Sequence, residues 1–217
     1  MTRVRVHSMV ISLDGYAAGP DQSLDAPFGV GGQVLTAWFW DTRFGRAMIG
    51  REGGTTGVDD AWLERGVDGI GATVMGRNMF GPVRGPWPDD SWRGWWGEEP
   101  PYHHPVFVLT HHARPPLEMT GTTFHFVTDG LESALEQATE AADGLDVRIG
   151  GGVSTVAAAL REGLVDEMHL AVVPVLLRGG ERLYDDVGTW PEGYSCVETA
   201  AGEGAMHVRF ERSEGPA

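Results

Sequence analysis

Val147-Arg148-Ile149-Gly150-Gly151-Gly152-Val153-Ser154-Thr155 reads as a strand that runs into three consecutive glycines and on into a helical pattern. Val156, Leu160 and Leu164 fall on one face of that helix. Strand, glycines and helix together bring bare backbone N–H groups up to a phosphate, and the helix N-terminus adds its partial positive charge. Glycine suits such a turn because a side chain would block close approach and because the turn can require positive φ. Many strand–helix turns are glycine-rich for structural reasons alone, so the motif takes its meaning from its context.

That context is a series of strands and helices. Val4 to Ile11 reads as a first buried strand ended by the turn residues Asp14-Gly15, and residues 17–33 read as a loop. Leu35, Trp38, Phe39, Phe44 and Met48 suggest a helix, and a second begins at Asp59 or Asp60 and runs to about Gly66. Ala72-Thr73-Val74-Met75 is a β-prone run leading to Gly76-Arg77-Asn78, and Val106 to Thr110 and Thr123 to Val127 are further strands. Leu131 to Ala142 is an amphipathic helix, and Met168 to Val173 a strand. Tyr194 to Ala201 and Ala205 to Phe210 alternate around Gly202-Glu203-Gly204 as a hairpin. The pattern predicts an α/β fold with a mostly parallel central sheet flanked by helices and an antiparallel C-terminal hairpin. Residues 1–217 are expected to form one domain.

Composition narrows the function classes. A formal net charge of −15 argues against non-specific nucleic-acid binding and against docking on anionic membranes. An anionic ligand must then be held by a local site against an unfavourable overall field. The single cysteine, Cys196, cannot form an internal disulfide and fits a reducing, cytoplasmic setting. The N-terminal residues hold no apolar core long enough for a signal peptide, and no run approaches a membrane span. No Gly-x-Ser-x-Gly elbow is present, so nucleophilic hydrolysis has no support.

Three strand ends carry ligand chemistry: Gly76-Arg77-Asn78, Thr110-His111-His112 and the three glycines. In an open α/β sheet such ends face one crevice, where ligands bind. At these residues the chain resembles the dihydrofolate reductase superfamily, and within it the reductase domain of the bacterial riboflavin-biosynthesis deaminase-reductase. Ser12-Leu13-Asp14-Gly15, Val74-Met75-Gly76-Arg77, Phe107-Val108-Leu109-Thr110 and Ile149-Gly150-Gly151-Gly152 match that family's motifs in order. Pro174 to Leu177, Gly179-Gly180 and Leu183-Tyr184 resemble the riboflavin-type branch.

The resemblance implies the dihydrofolate-reductase-like fold, NADPH as cofactor and a homodimer, with the terminal hairpin as a plausible contact. It places Arg77 on the adenosine 2′-phosphate, where a guanidinium suits the geometry. Gly76 and Asn78 flank Arg77, and Leu109 with Thr110 and His111 forms the neighbouring strand end. Gly150, Gly151, Gly152, Val153, Ser154 and Thr155 would cradle the pyrophosphate, and Val10 and Ala17 would flank the nicotinamide. The reaction implied is hydride transfer to a small heterocyclic or ribosylamino-pyrimidine substrate. Folate reduction and non-catalytic nucleotide binding are the alternatives. A phosphorylated substrate would need a further cation, for which Arg178 and Arg182 are the nearest candidates.

Asp59-Asp60-Ala61-Trp62-Leu63 resembles the helix that carries the proton-donating carboxylate in folate-reducing members, with Asp59 at the acid position. Asp59 also reads as a helix N-cap. Asp14 is a second carboxylate candidate on the substrate side, though Asp14-Gly15 is equally a turn. Residues 81–105 hold Trp87, Trp92, Trp95 and Trp96 among many chain breakers. Trp95 and Trp96 are candidates to roof a flat substrate; a subunit contact is the other reading. His103-His104 and His111-His112 lack the spacing of a metal site, so no metal is expected.

Overall fold

Phe107 points to one face of its strand and Val106 and Val108 to the other, and this period of two organises the molecule. The computed structural model describes residues 2–81, 84–185, 187–189 and 192–213. Its strands are β1 (Val4–Ser12), β2 (Tyr16–Ala18), β3 (Ile70–Gly76), β4 (Val106–Leu109), β5 (Leu117–Met119) and β6 (Thr122–Val127). They continue with β7 (Asp146–Gly151), β8 (Glu167–Val173), β9 (Glu181–Arg182), β10 (Tyr194–Ala201) and β11 (Met206–Arg212). The helices are α1 (Ala37–Asp41), α2 (Arg43–Met48), α3 (Val58–Arg65), α4 (Arg77–Phe80), α5 (Leu131–Ala141) and α6 (Val153–Arg161).

The main sheet has the order β10-β11-β8-β1-β7-β3-β4-β6-β5. The run from β8 to β6 is parallel. Both edges are antiparallel, through β11 and β10 at one side and β5 at the other. The expected architecture holds, with β5 as an addition. Its three residues are too few for a periodic signal. β2 and β9 pair outside the main sheet, and β2 falls mostly within residues 17–33, which read as a loop.

One face of the sheet is sealed by α5 and α6, whose Ala134, Ala138, Val156 and Leu160 pack on Val6, Val74, Val147 and Ile149. The opposite face carries two smaller clusters. Leu35, Trp38 and Leu63 pack on Ala171 and Val173, whereas Phe80, Tyr102 and Phe124 pack with Met75, Val106 and Val108. The helix expected through Met48 is broken at Thr42, which is extended and accepts a hydrogen bond from Gly45 N at 2.9 Å. A β-branched residue with a hydroxyl is better used as the N-cap of α2 than inside one long helix.

Candidate active site

A cleft of about 1330 Å³ opens at the carboxyl ends of β1, β3, β4 and β7, between the two smaller clusters. All the nucleotide-contact candidates line it: Val10 and Ala17, Gly76 to Asn78, Leu109 to His111, and Gly150 to Thr155. Parallel strands explain this convergence, because their carboxyl ends share one edge of the sheet.

At the glycine end, Gly151 has φ +126°, a conformation that side chains rarely adopt. Gly152 is the N-cap of α6 and supplies no side-chain acceptor, so N–H groups of the first turn are left for a ligand. Gly76 lets β3 approach this helix, since a Cβ there would lie 2.5 Å from Thr155 Oγ1. Gly76→Ala is expected to lower stability by about 1–3 kcal/mol, as overpacking does. Urea unfolding measures it, and an unchanged midpoint would mean that this approach is not constrained.

At the other end, the Arg77 guanidinium lies 3.6 Å over the Trp87 ring. Its Nη1 donates to Gly85 O at 2.5 Å, while Nε and Nη2 are buried without a hydrogen-bond partner. Burial, then Arg114 nearby, pulls its pKa below the ordinary arginine value. Trp87 is itself fixed by donating to His112 O at 2.8 Å. Thr110 Oγ1 accepts from His112 N at 3.1 Å, so this hydroxyl shapes its own loop. Asn78 Nδ2 donates to Gln22 Oε1 at 2.7 Å and ties the loop after β2 to the nucleotide end.

Trp95 and Trp96 line the cleft; Trp92 is not among the lining residues. Indole N–H groups hook the segment to α4: Trp95 donates to Met79 O and Trp92 to Phe80 O, each at 3.0 Å. Trp96 stacks on Phe124 with ring centroids 5.7 Å apart. The segment is thus a packed wall of the cleft. The cleft is also lined by Phe39, Trp40, Phe44, Met48 and Ile49, an apolar wall whose sequence pattern signals only helix packing.

Asp14 departs from expectation. It does not line the cleft. Its Oδ1 accepts from Ser12 Oγ at 2.6 Å and Leu177 N at 3.1 Å, and its Oδ2 accepts from Arg178 N at 2.8 Å. The Ser12 hydroxyl, with these N–H groups, holds its carboxyl below the usual range. Asp14 therefore pins the segment after β8. Arg182 donates to Asp14 O and pairs with Asp185, and neither Arg178 nor Arg182 reaches the cleft.

Asp59 departs further, from both of its readings. Gly57 is the N-cap of α3, and the Val58 and Asp59 N–H groups are accepted by the Glu203 carboxylate, both at 3.1 Å. The cap comes from the hairpin turn, across some 145 residues of chain. Asp59 itself is 2 % exposed and absent from the cleft lining. Its Oδ2 accepts from Gly204 N and its Oδ1 faces His207 Nε2, both at 2.7 Å. A Cβ on Gly202 would overlap Asp59 Oδ1, so glycine there leaves room for the carboxylate.

The chain of hydrogen bonds continues inward with its direction fixed. Ser8, at φ +56° where β1 slips register against β8, donates its N–H to His169 Nδ1 at 3.0 Å. His169 is thus neutral with its proton on Nε2, 3.0 Å from His207 Nδ1. His207 then donates from Nε2 to Asp59. Burial, followed by the charges of its neighbours, lowers the His169 pKa and agrees with that tautomer. Trp62 stacks on both rings, 4.4 Å from His169 and 5.2 Å from His207. Both rings are completely buried. Nothing in the spacing of Ser8, His169 and His207 announces this arrangement.

Comparison with known proteins places the chain. A model of the RibD C-terminal domain matches residues 5–199. A protein from Shewanella sp. PV-4, assigned by name to riboflavin biosynthesis, superposes with a TM-score of 0.64 at 22 % identity, over 99 % of this chain and 100 % of that one. Dihydrofolate reductase from Enterococcus faecalis, in complex with NADP(H) and RAB-propyl, superposes with a TM-score of 0.54 at 13 % identity, over 98 % of this chain and 97 % of that one. Among curated protein sequences, none matches. At these identities the two structures speak for the fold, the dihydrofolate-reductase-like one. The family model spans most of the chain, which therefore belongs to the RibD C-terminal domain family of reductases.

Proposed function

We propose that this protein is an NADPH-dependent reductase of a small heterocyclic substrate of the ribosylamino-pyrimidine type. The observation that carries the cofactor reading is Arg77: two buried guanidinium nitrogens without partners, braced on Trp87, at the edge of the same cleft as the glycine turn. Unsatisfied buried donors are costly, and a phosphate monoester would satisfy them. At the far end the uncapped start of α6 offers N–H groups to a second anionic unit. The residues present therefore fit a dinucleotide carrying an extra phosphate. Such a cofactor would supply the hydride.

The chain's own work is then positional. Arg77 and the glycine turn would fix the two ends of the dinucleotide, and Val10 and Ala17 would wall the reacting ring. Trp95 and Trp96 on one side and Phe39 and Phe44 on the other would hold a flat substrate and keep water from it. Folate reduction stands behind this reading, because Asp59, at the position of the pterin-facing acid, meets His207 and Gly204 instead.

Titration with NADPH and NADH, followed by energy transfer from tryptophan, tests the assignment. Arg77→Ala is expected to weaken NADPH by roughly 10- to 100-fold and NADH by little, the loss of one or two charge-assisted hydrogen bonds. Equal losses for both nucleotides would contradict the phosphate contact. We further infer that the chain acts as one domain and pairs as a homodimer through the edge strand β10, where Val197 is 44 % exposed. The exposed thiol of Cys196 suits a reducing, cytoplasmic setting. Among the described residues no helix is long and apolar enough to cross a membrane.

A further inference from the structure

Arg148 on β7 is a cation that the fold does not use. It shares a sheet face with Arg5 and Thr73, its register partners on β1 and β3, and lines the part of the cleft that Trp95, Trp96 and Tyr102 also line. Its Nε is buried without a hydrogen-bond partner. Among the described residues no carboxylate stands within ion-pair distance of it, although the chain has 31 Asp and Glu against 16 Lys and Arg. Neighbouring acids are already engaged. Glu167 meets Arg3, Arg5 and Arg209, and Asp146 accepts from Arg3 N and pairs with Arg5. The contact that remains is Tyr102, whose ring centroid lies 5.7 Å from the guanidinium carbon. A cation–π contact at that range is weaker than the desolvation it would have to offset.

Apart from Arg5, which is itself paired with Asp146 and Glu167, the surroundings are polar but uncharged. His104 is held by Thr73 Oγ1 at 2.8 Å, and burial keeps it neutral by pushing its pKa down to about 4. His7, lining the same cleft, is held down to about 3 for the same reason. One permanent positive charge therefore stands among neutral hydrogen-bonding and aromatic groups. It lies on the strand that ends in the glycine turn, two residues before Gly150 and on the same side of the pleat.

We propose that Arg148 anchors an oxyanion, carboxylate or phosphate, carried by the substrate of this cleft. Arginine suits the task because its planar fork accepts either group and keeps its charge when buried. The proposal rests on reading the cleft as a substrate site and fills the cationic position that Arg178 and Arg182 do not occupy. It also accounts for a group that otherwise costs stability without return.

Calorimetric titration of the purified protein with benzoate, phenyl phosphate and neutral benzamide tests it. At least one anion is expected to bind about tenfold or more tightly than benzamide. The better of the two identifies the oxyanion. Arg148→Gln should bring anion and amide to within about twofold, and Arg148→Lys should keep part of the preference. Arg148→Gln should also melt no lower than the wild type, since it breaks no ion pair and removes a half-buried charge with an unpartnered Nε. Equal binding of all three probes by the wild type, or a preference that survives in Arg148→Gln, would overturn the assignment. If Arg148→Gln fails to fold, Arg148→Met is the charge-free replacement: loss of the anion preference in it supports the proposal and full retention overturns it. A parallel NADPH titration keeps the two readings apart. NADPH binding without anion preference overturns the Arg148 proposal alone; anion preference without NADPH binding overturns the cofactor reading and leaves Arg148 standing.

Discussion

Asp59→Ala is expected to lower the unfolding free energy by about 3–5 kcal/mol, the cost of leaving two hydrogen-bond donors to a buried carboxylate without their acceptor. The carboxylate accepts from the half-buried Gly204 amide and from His207, and His207 has no water to turn to, since it and Asp59 are sealed from solvent. The loss would spread. With Asp59 gone the hairpin turn loosens from α3, and Glu203 in that turn caps the same helix. Asp59→Asn keeps one acceptor but presents an amide donor to a group that is already a donor, so a smaller loss of about 1–3 kcal/mol is expected. Urea unfolding followed by circular dichroism reads both. A loss below about 1 kcal/mol in Asp59→Ala would show that the latch contributes little. The kinetic counterpart is equally definite: turnover of folded Asp59→Asn should stay near that of the wild type. Collapse of turnover with cofactor affinity intact would restore Asp59 as the proton donor.

What the sequence discloses here is what local chain order can encode. The glycine turn, the Met-Gly-Arg turn and the Leu-Thr strand end are each contiguous, and parallel strands bring contiguous ends to one edge. Sequence order and parallel topology alone therefore put the three at one cleft. Asp59 shows the limit. Its helix and its position on that helix were legible, but its partners lie 145 to 148 residues away on a hairpin. Gly202 and Gly204 likewise read as an ordinary hairpin turn. Their second purpose, making room for a carboxylate and donating to it, exists only once the turn meets α3. Arg148 lies within the stretch that decides the fold and reads there as an ordinary strand residue. What distinguishes it is the absence of a nearby acid, and absence in space leaves no mark on spacing. The tryptophan segment was ambiguous for a related reason. Four indoles among prolines signal burial against something, and only the hydrogen bonds from Trp92 and Trp95 to α4 identify the surface.

The same buried histidines make stability depend on pH with a definite sign. His7 and His169 are both kept neutral in the folded chain, the first with its pKa down at about 3. For each, burial is the largest cause, and positive neighbours, Arg5 and Arg65 foremost among those of His7, act in the same direction. Unfolded, each returns to about 6.5. Between those limits the unfolded chain binds protons that the folded chain does not, so stability is fully present above about pH 6.5 and is lost as the pH falls. Two such groups amount to about 2.7 kcal/mol between pH 7.5 and pH 5.5, above the range in which carboxylates titrate. His104, held down to about 4 by burial, adds about as much as either of them over that pH interval, and His125, lowered by burial, adds less. His169→Gln is the informative variant. Glutamine offers an acceptor to Ser8 N–H and a donor to His207 Nδ1, the two bonds that the imidazole makes. It should fold, and it should remove about a third of the pH-dependent loss by removing one of three protons. A urea midpoint that stays level between pH 7.5 and 5.5, or a slope that His169→Gln leaves unchanged, would mean that these rings take up protons while folded. The directed chain from Ser8 to Asp59 would then be wrong at its first link, because a protonated His169 has no lone pair to receive the Ser8 amide.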